Sequence, residues 1–304
     1  MTDLRSQLRL VKHSSRRLGG AAAVLGLSAL VHVVVLLVDG GGWEGAVTFR
    51  KPITFGISVG LLLWTCGWIL DRLPPRPRIE GALAWPLIVS GVIEVALITV
   101  QAWRGVPSHF NVFTPEDGLI FSLMGISIGV LSAALGLLFL WTLIQRPADR
   151  PTRLAVIAGM TLVILGLGVG AWIIELGVEM TERLGRVPDT VLAGDAGVAK
   201  FPHAMALHGI QLFIGVSVLG RRLGLDDRAR LRVTRLTTGG YASLVTWAVV
   251  HTNAGRAPTD LSGVEASLLG GGVLLLVAAC GLMVAAFGRT PAGEPGRPAV
   301  TLSS

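Results

Sequence analysis

Charge is what this sequence has least of: only 15% of its 304 residues are Asp, Glu, Lys or Arg, against about 25% in an average soluble domain. Tyrosine occurs once and cysteine twice. Cys66 and Cys280 both fall inside apolar runs, which excludes a disulfide framework and a CxxC metal site. The sequence also lacks a Walker A loop, a dinucleotide fingerprint and a nucleophile elbow. Its basic residues sit between apolar runs and form no aromatic-interleaved patch, so the net charge of +7 and pI near 10.6 do not point to nucleic acid.

Apolar residues are abundant, at 52% of the chain with a mean hydropathy of +0.67. Runs near the length that crosses a hydrocarbon core fall at 19–39, 53–70, 83–103, 118–144, 154–176, 203–220, 236–254 and 264–288, and each reads as a transmembrane helix. The expected fold is therefore an all-α, polytopic transmembrane bundle of about eight spans, with the lipid bilayer as its first partner. Residues 1–18 form a basic cytoplasmic segment, 19–288 a single bundle and 289–304 a flexible cytoplasmic tail. The first span follows five basic residues, like a signal peptide, but its apolar run is longer than a signal core and no small-residue cleavage site stands out before Asp39, so it reads as a retained anchor.

Lys and Arg divide unevenly between alternate loops. The amino-terminal segment, loops 71–82, 145–153 and 221–235, and the tail hold 19; the remaining loops hold 7. This asymmetry places both termini in the cytoplasm of a plasma-membrane protein. Glycines four apart, at Gly56 and Gly60, Gly125 and Gly129, and Gly166 and Gly170, together with Gly270–Gly272, are expected to bring helix backbones into close contact within the bundle.

With that orientation the polar residues inside or beside the spans cluster in the outward half. Glu94 lies about nine residues below the outer end of its span, near the bilayer midplane. A carboxyl there costs at least about 2.5 kcal/mol to insert and usually lines a site. Ser90, Glu94 and Gln101 share one helix face. His32, His109, His203, His208 and His251 lie in the same outward half, leaving only His13 inside. His32 and His251 read as structural, hydrogen-bonded across helices. His203 and His208 are five apart and share no helix face in the manner of a HExxH metal site, so a metal would have to be assembled between helices; His208 and Gln211 do share a face. In the loop WRGVPSHFNVFTPED, Thr114, Pro115, Glu116 and Asp117 read as a cap and first turn. That leaves Arg104, His109 and Asn111 to close a pocket. Arg104 is roughly 15 Å from Glu94 along an ideal helix, so no direct bridge between them is expected.

The stretches KPITFGIS (51–58), IEVALITVQAWRGVPSHFN (93–111), DGLIFSLMG (117–125) and FPHAMALHGIQ (201–211) resemble those of a family of uncharacterised multi-span bacterial, chiefly actinobacterial, membrane proteins. The pattern is KPxKFxxS, a Glu followed by QAxRGxxSHFN, and PHxxxxHxxQ. It matches Lys51, Pro52, Phe55, Ser58, Glu94, Gln101, Arg104, Gly105, Ser108, His109, Phe110, Asn111, Pro202, His203, His208 and Gln211, and Thr54 stands where the pattern has a second lysine. The resemblance covers roughly residues 45–255 and implies a multi-span fold without implying an activity.

Two functions compete, ahead of a structural or sensory role for which the sequence offers no positive sign. One is a membrane-embedded enzyme acting on a lipophilic small molecule, with Glu94, His109, His208 and Arg104 as catalytic groups and Gln101, Asn111, Gln211 and Lys51 binding substrate. Glu94, His203 and His208 are the metal-ligating candidates in that reading, for zinc, iron or haem. The other is a proton-coupled transporter or small-molecule-binding protein in which Glu94 carries the proton. Against a transporter stands the scarcity of charge in the cytoplasmic half of the spans.

Overall fold

The computed structural model describes residues 12–147, 149–257 and 259–288. The tail expected at 289–304 and the first eleven residues of the basic segment lie outside these. Eight long helices follow in order: α1 (His13–Asp39), α2 (Arg50–Leu70), α3 (Pro77–Trp103), α4 (Pro115–Gln145), α5 (Arg150–Leu184), α6 (Lys200–Arg222), α7 (Asp227–Asn253) and α8 (Gly263–Phe287). A two-stranded antiparallel pair, β1 (Leu192–Ala193) and β2 (Gly197–Val198), sits in the loop between α5 and α6. Every expected span coincides with a helix, and the helices begin earlier than the apolar runs. Polar first turns account for the difference: Asp149 caps α5 at Thr152 N, Asp226 caps α7 at Ala229 N, and Pro77 and Pro115 open α3 and α4.

Seven of the eight helices are long and apolar enough to cross a membrane; α7 is the exception. The first turns of α7 carry Arg228, Arg230, Arg232 and Arg235, and threonines and glycines follow. The α7 helix packs against α5, α6 and α8, so protein shields much of it from lipid. Its Thr234, Thr237 and Thr238 hydroxyls donate to carbonyls of the preceding turn, so none of the three is left unpaired. The apolar helices fit a multi-pass membrane protein in contact with lipid.

Neighbours in sequence are neighbours in space, with α1 on α2, α5 on α6 and α7 on α8 the most extensive pairs. Side chains from α1 to α7 build one core around Leu63, Leu87, Leu138, Met160, Ile210 and Phe213. Close approach explains some of the glycines. A Cβ at Gly56 would come 3.0 Å from Leu25 O of α1, and Gly60, Gly166 and Gly272 meet neighbouring helices in the same way. Gly125 and Gly129 do not follow this pattern, because a Cβ at either meets nothing within 4 Å. Their stripe lies on an exposed face of α4, and Gly270 and Gly271 of α8 likewise meet nothing within 4 Å, which corrects the expectation that these glycines mediate packing within the bundle.

Polar contacts tie the helix ends together. At one end Lys12 pairs with Glu80 at 3.0 Å, Ser15 donates to Asp71, and Asp149 holds Arg221 at 2.6 Å and Arg230 at 3.1 Å. These contacts gather the starts of α1, α3, α5 and α7 with the ends of α2 and α6. Burial pushes the Asp149 carboxyl up, but hydrogen bonds from Thr152 and the two guanidiniums outweigh it and hold the group below the usual carboxylate range.

Candidate functional site

Three stretches meet near the other end of the bundle. From α3, Ser90, Glu94 and Gln101 all turn inward, with Glu94 1% exposed, so the polar stripe faces protein. Glu94 Oε2 lies 2.7 Å from Ser127 Oγ of α4. Glu94 Oε1 lies 4.0 Å from His109 Nε2, which comes down from the loop after α3. The imidazole is held in place by Ser108 Oγ, 2.9 Å from Nδ1, and by the Phe55 ring of α2 at 5.5 Å.

Phe110 fixes the loop. Its φ of +60° is a left-handed conformation that costs a bulky residue on the order of 1 kcal/mol or more. The ring is wedged against Gly177 of α5 and edge-on to Phe121 of α4 at 5.8 Å, and this packing offsets the backbone cost. Burial pushes the His109 imidazole down to about 3, and the nearby Lys51 ammonium acts in the same direction. His109 is thus neutral at physiological pH, and its approach to Glu94 is that of an imidazole to a carboxyl rather than an ion pair.

The remaining expected residues divide. Lys51 lies at the mouth, where its ammonium donates to Ala46 O at 2.7 Å; with Thr48, Ile98 and Ser108 it lines a crevice too narrow for a water molecule. His208 Nε2 is 3.3 Å from Ser58 Oγ, and Gln211 Nε2 donates to Thr65 at 3.3 Å, so both side chains reach from α6 to α2. His203 Nδ1 donates to Gly166 O at 2.8 Å. Arg104 is engaged elsewhere: it donates to Asp117 at 2.7 Å and to Gln101, and Gln101 also donates to Asp117. Asn111 braces its own loop through Pro107 O and Phe113 N. The expected cap on α4 is present, with Thr114 accepting from Asp117 N.

Among the described residues, no three His, Cys, Asp or Glu side chains come together so as to hold a metal ion. Glu94 faces Ser127 and His109, and Glu94, His203 and His208 do not come together as a ligand set. Nothing in the arrangement supports zinc, iron or haem.

His32 is structural and fully satisfied: its Nδ1 donates to Ser28 O and its Nε2 accepts from Trp103 Nε1. His251 is held by Glu265, which also pairs with Arg256 at 3.0 Å. Sequence reasoning missed Ser127, Asp117 as a shared acceptor, and Glu265. The last was legible, because Ser262 and Glu265 stand in capping-box spacing and form that box in the structure. Ser127 carries no signal beyond an ordinary serine in an apolar run. Neither a family model, nor a curated protein, nor a solved structure matches the chain.

Proposed function

We propose that this chain is a plasma-membrane protein of eight spans with both termini in the cytoplasm, and that Glu94 and His109 form an acid–base site in its outward half that acts on a lipophilic substrate. The orientation rests on the basic residues, since the loops at the Lys12, Asp149 and Arg230 end carry the excess. In this reading α7 is the eighth span, sheltered by α5, α6 and α8. Kinship with the family of similar motif stretches is part of the proposal. Its support is that those stretches touch one another, Phe55 against His109 and Ser58 against His208.

One observation carries the chemistry. The Ser127 hydroxyl has a single hydrogen but lies within hydrogen-bond distance of two acceptors, Glu94 Oε2 at 2.7 Å and Met124 O at 2.9 Å. Both contacts are satisfied when the carboxyl carries a proton on Oε2 and donates to Ser127, which in turn donates to Met124 O. The donors then all point one way, from Ser108 to His109 and from Glu94 to Ser127 and Met124 O, with His109 Nε2 facing Glu94 across a gap too long for a hydrogen bond. The longest link is the 4.0 Å between His109 Nε2 and Glu94 Oε1, and a substrate hydroxyl bridging that gap would accept from Nε2–H and donate its proton to Oε1 while the Oε2 proton stays directed at Ser127. Lys51 sits on the crevice side, placed to stabilise negative charge developing on the substrate. In this reading His208 and Gln211 contribute to substrate binding from α6, where they reach α2, and Gln101, Arg104 and Asn111 hold the loop that closes the site.

A second reading, proton-coupled transport, draws on α6. The contacts His208–Ser58, Gln211–Thr65 and Ser217–Thr152 continue a line of polar groups towards the opposite end.

Infrared difference spectra and lipid analysis test the proposal together. A protonated-carboxyl band should vanish in Glu94→Gln and shift in His109→Ala. Extracts of cells expressing the wild type should differ in a lipophilic species from those expressing either variant. Glu94-dependent proton flux in proteoliposomes without a lipid change would favour transport. If the carboxyl band survives in Glu94→Gln, the site is refuted.

A further inference from the structure

At the end of the bundle where α1 and α3 begin, the nearby acids among the described residues are already taken. Glu80 pairs with Lys12, and Asp71 accepts from Ser15 and from Lys12 N. Arg17 and Arg78 have no carboxylate partner among the described residues. The Arg17 guanidinium lies 5.2 Å from the centre of the Trp85 ring of α3, and that indole is 51% exposed. Arg78 precedes Trp85 by seven residues, so it lies on the same face of α3 about 10.5 Å along the axis. Between them a Cβ at Gly81 would meet nothing within 4 Å, so among the described residues no side chain covers α3 at that point. Further along, Val89 of α3 and Val24 of α1 are exposed and apolar, and α1 packs on α3.

We propose that Arg17, Arg78 and Trp85 form a headgroup site for an anionic phospholipid of the cytoplasmic leaflet, with its acyl chains lying along α1 and α3. This rests on the membrane orientation proposed above and is independent of the acid–base chemistry. Charge complementarity selects the occupant. Two unpaired guanidiniums at the membrane surface match a phosphodiester, which they engage through paired N–H donors. A half-exposed indole belongs at the headgroup level. A zwitterionic lipid offers the same phosphate with a cation attached, which the two arginines repel. The negative potential of the cytoplasmic leaflet adds to the preference.

The test is native mass spectrometry of the full chain released from bilayers of equal phosphatidylglycerol and phosphatidylcholine. The wild type should retain phosphatidylglycerol preferentially. Arg17→Gln with Arg78→Gln should cut that retention roughly 25-fold, about fivefold per arginine. Arg228→Gln with Arg232→Gln removes the same charge from exposed positions on α7 and should leave the preference intact. Equal retention of both lipids by the wild type, or an equal loss in the α7 control, overturns the site. If the first double variant does not insert, Arg78→Gln alone, whose side chain makes no hydrogen bond or ion pair among the described residues, should show the fivefold effect. Glu94→Gln should bind lipid like the wild type, which separates failure here from failure of the acid–base reading.

Discussion

Burial assigns opposite tasks to chemically similar side chains. His32 has both ring nitrogens satisfied and serves packing, whereas His109 presents one nitrogen to a carboxyl at 4.0 Å and is held neutral by burial and by Lys51. That neutrality has a consequence for stability. The imidazole accepts a proton near pH 6.5 when the chain is unfolded but only near 3 when folded. Between these values the unfolded state binds more protons. Its contribution is therefore complete above pH 6.5 and is lost as the pH falls towards 3, at roughly 2 kcal/mol between pH 6.5 and 5. Thermal unfolding in detergent should show a melting temperature that falls over this window in the wild type and falls less in His109→Asn. Parallel curves for the two proteins would mean that His109 is not buried in this way.

Helices of similar composition differ in what covers them. Gly56 and Gly125 both belong to small-xxx-small pairs, yet one meets the backbone of α1 and the other meets nothing. Gly56→Ala should therefore destabilise the bundle by about 1–3 kcal/mol through overpacking. Gly125→Ala should be neutral or stabilising by up to about 1 kcal/mol, since alanine is the better helix former. Melting temperatures of the two variants in the same detergent check this, and equal losses would contradict the open face of α4. The α7 helix shows the same principle from the other side: packed against α5, α6 and α8, it carries threonine and arginine where the more apolar helices carry leucine. Its Arg230 is 4% exposed and survives burial because Asp149, Asp227 and Ser217 receive its donors.

At the scale of the whole molecule, the polar contacts gather at two ends of an apolar bundle, and the orientation can be read by labelling. Single cysteines at Glu116 and at Arg228, both exposed, in a background lacking Cys66 and Cys280, should react oppositely with a membrane-impermeant thiol reagent applied to whole cells. Glu116→Cys is expected to label and Arg228→Cys to remain protected. The reverse pattern would invert the topology and move the Glu94–His109 site to the cytoplasmic half.

Composition alone determined that the chain is helical and suited to lipid, because apolar runs of this length leave backbone groups no other way to pair. The positions of the helices followed from the same runs, and the cap at Thr114 carried the start of α4. Glu94 stood out because a carboxyl in an apolar run is costly wherever it ends up. Which groups meet it was decided only by the tertiary structure. Ser127 on α4 and Phe55 on α2 carry no local sign of their role, and Arg104 chose Asp117 over the site because loop geometry placed that carboxylate 2.7 Å away. A proposed metal set of one carboxylate and two histidines came apart for the same reason: spacing along one helix says which side chains share a face, but the rotation of each helix in the bundle decides what that face meets.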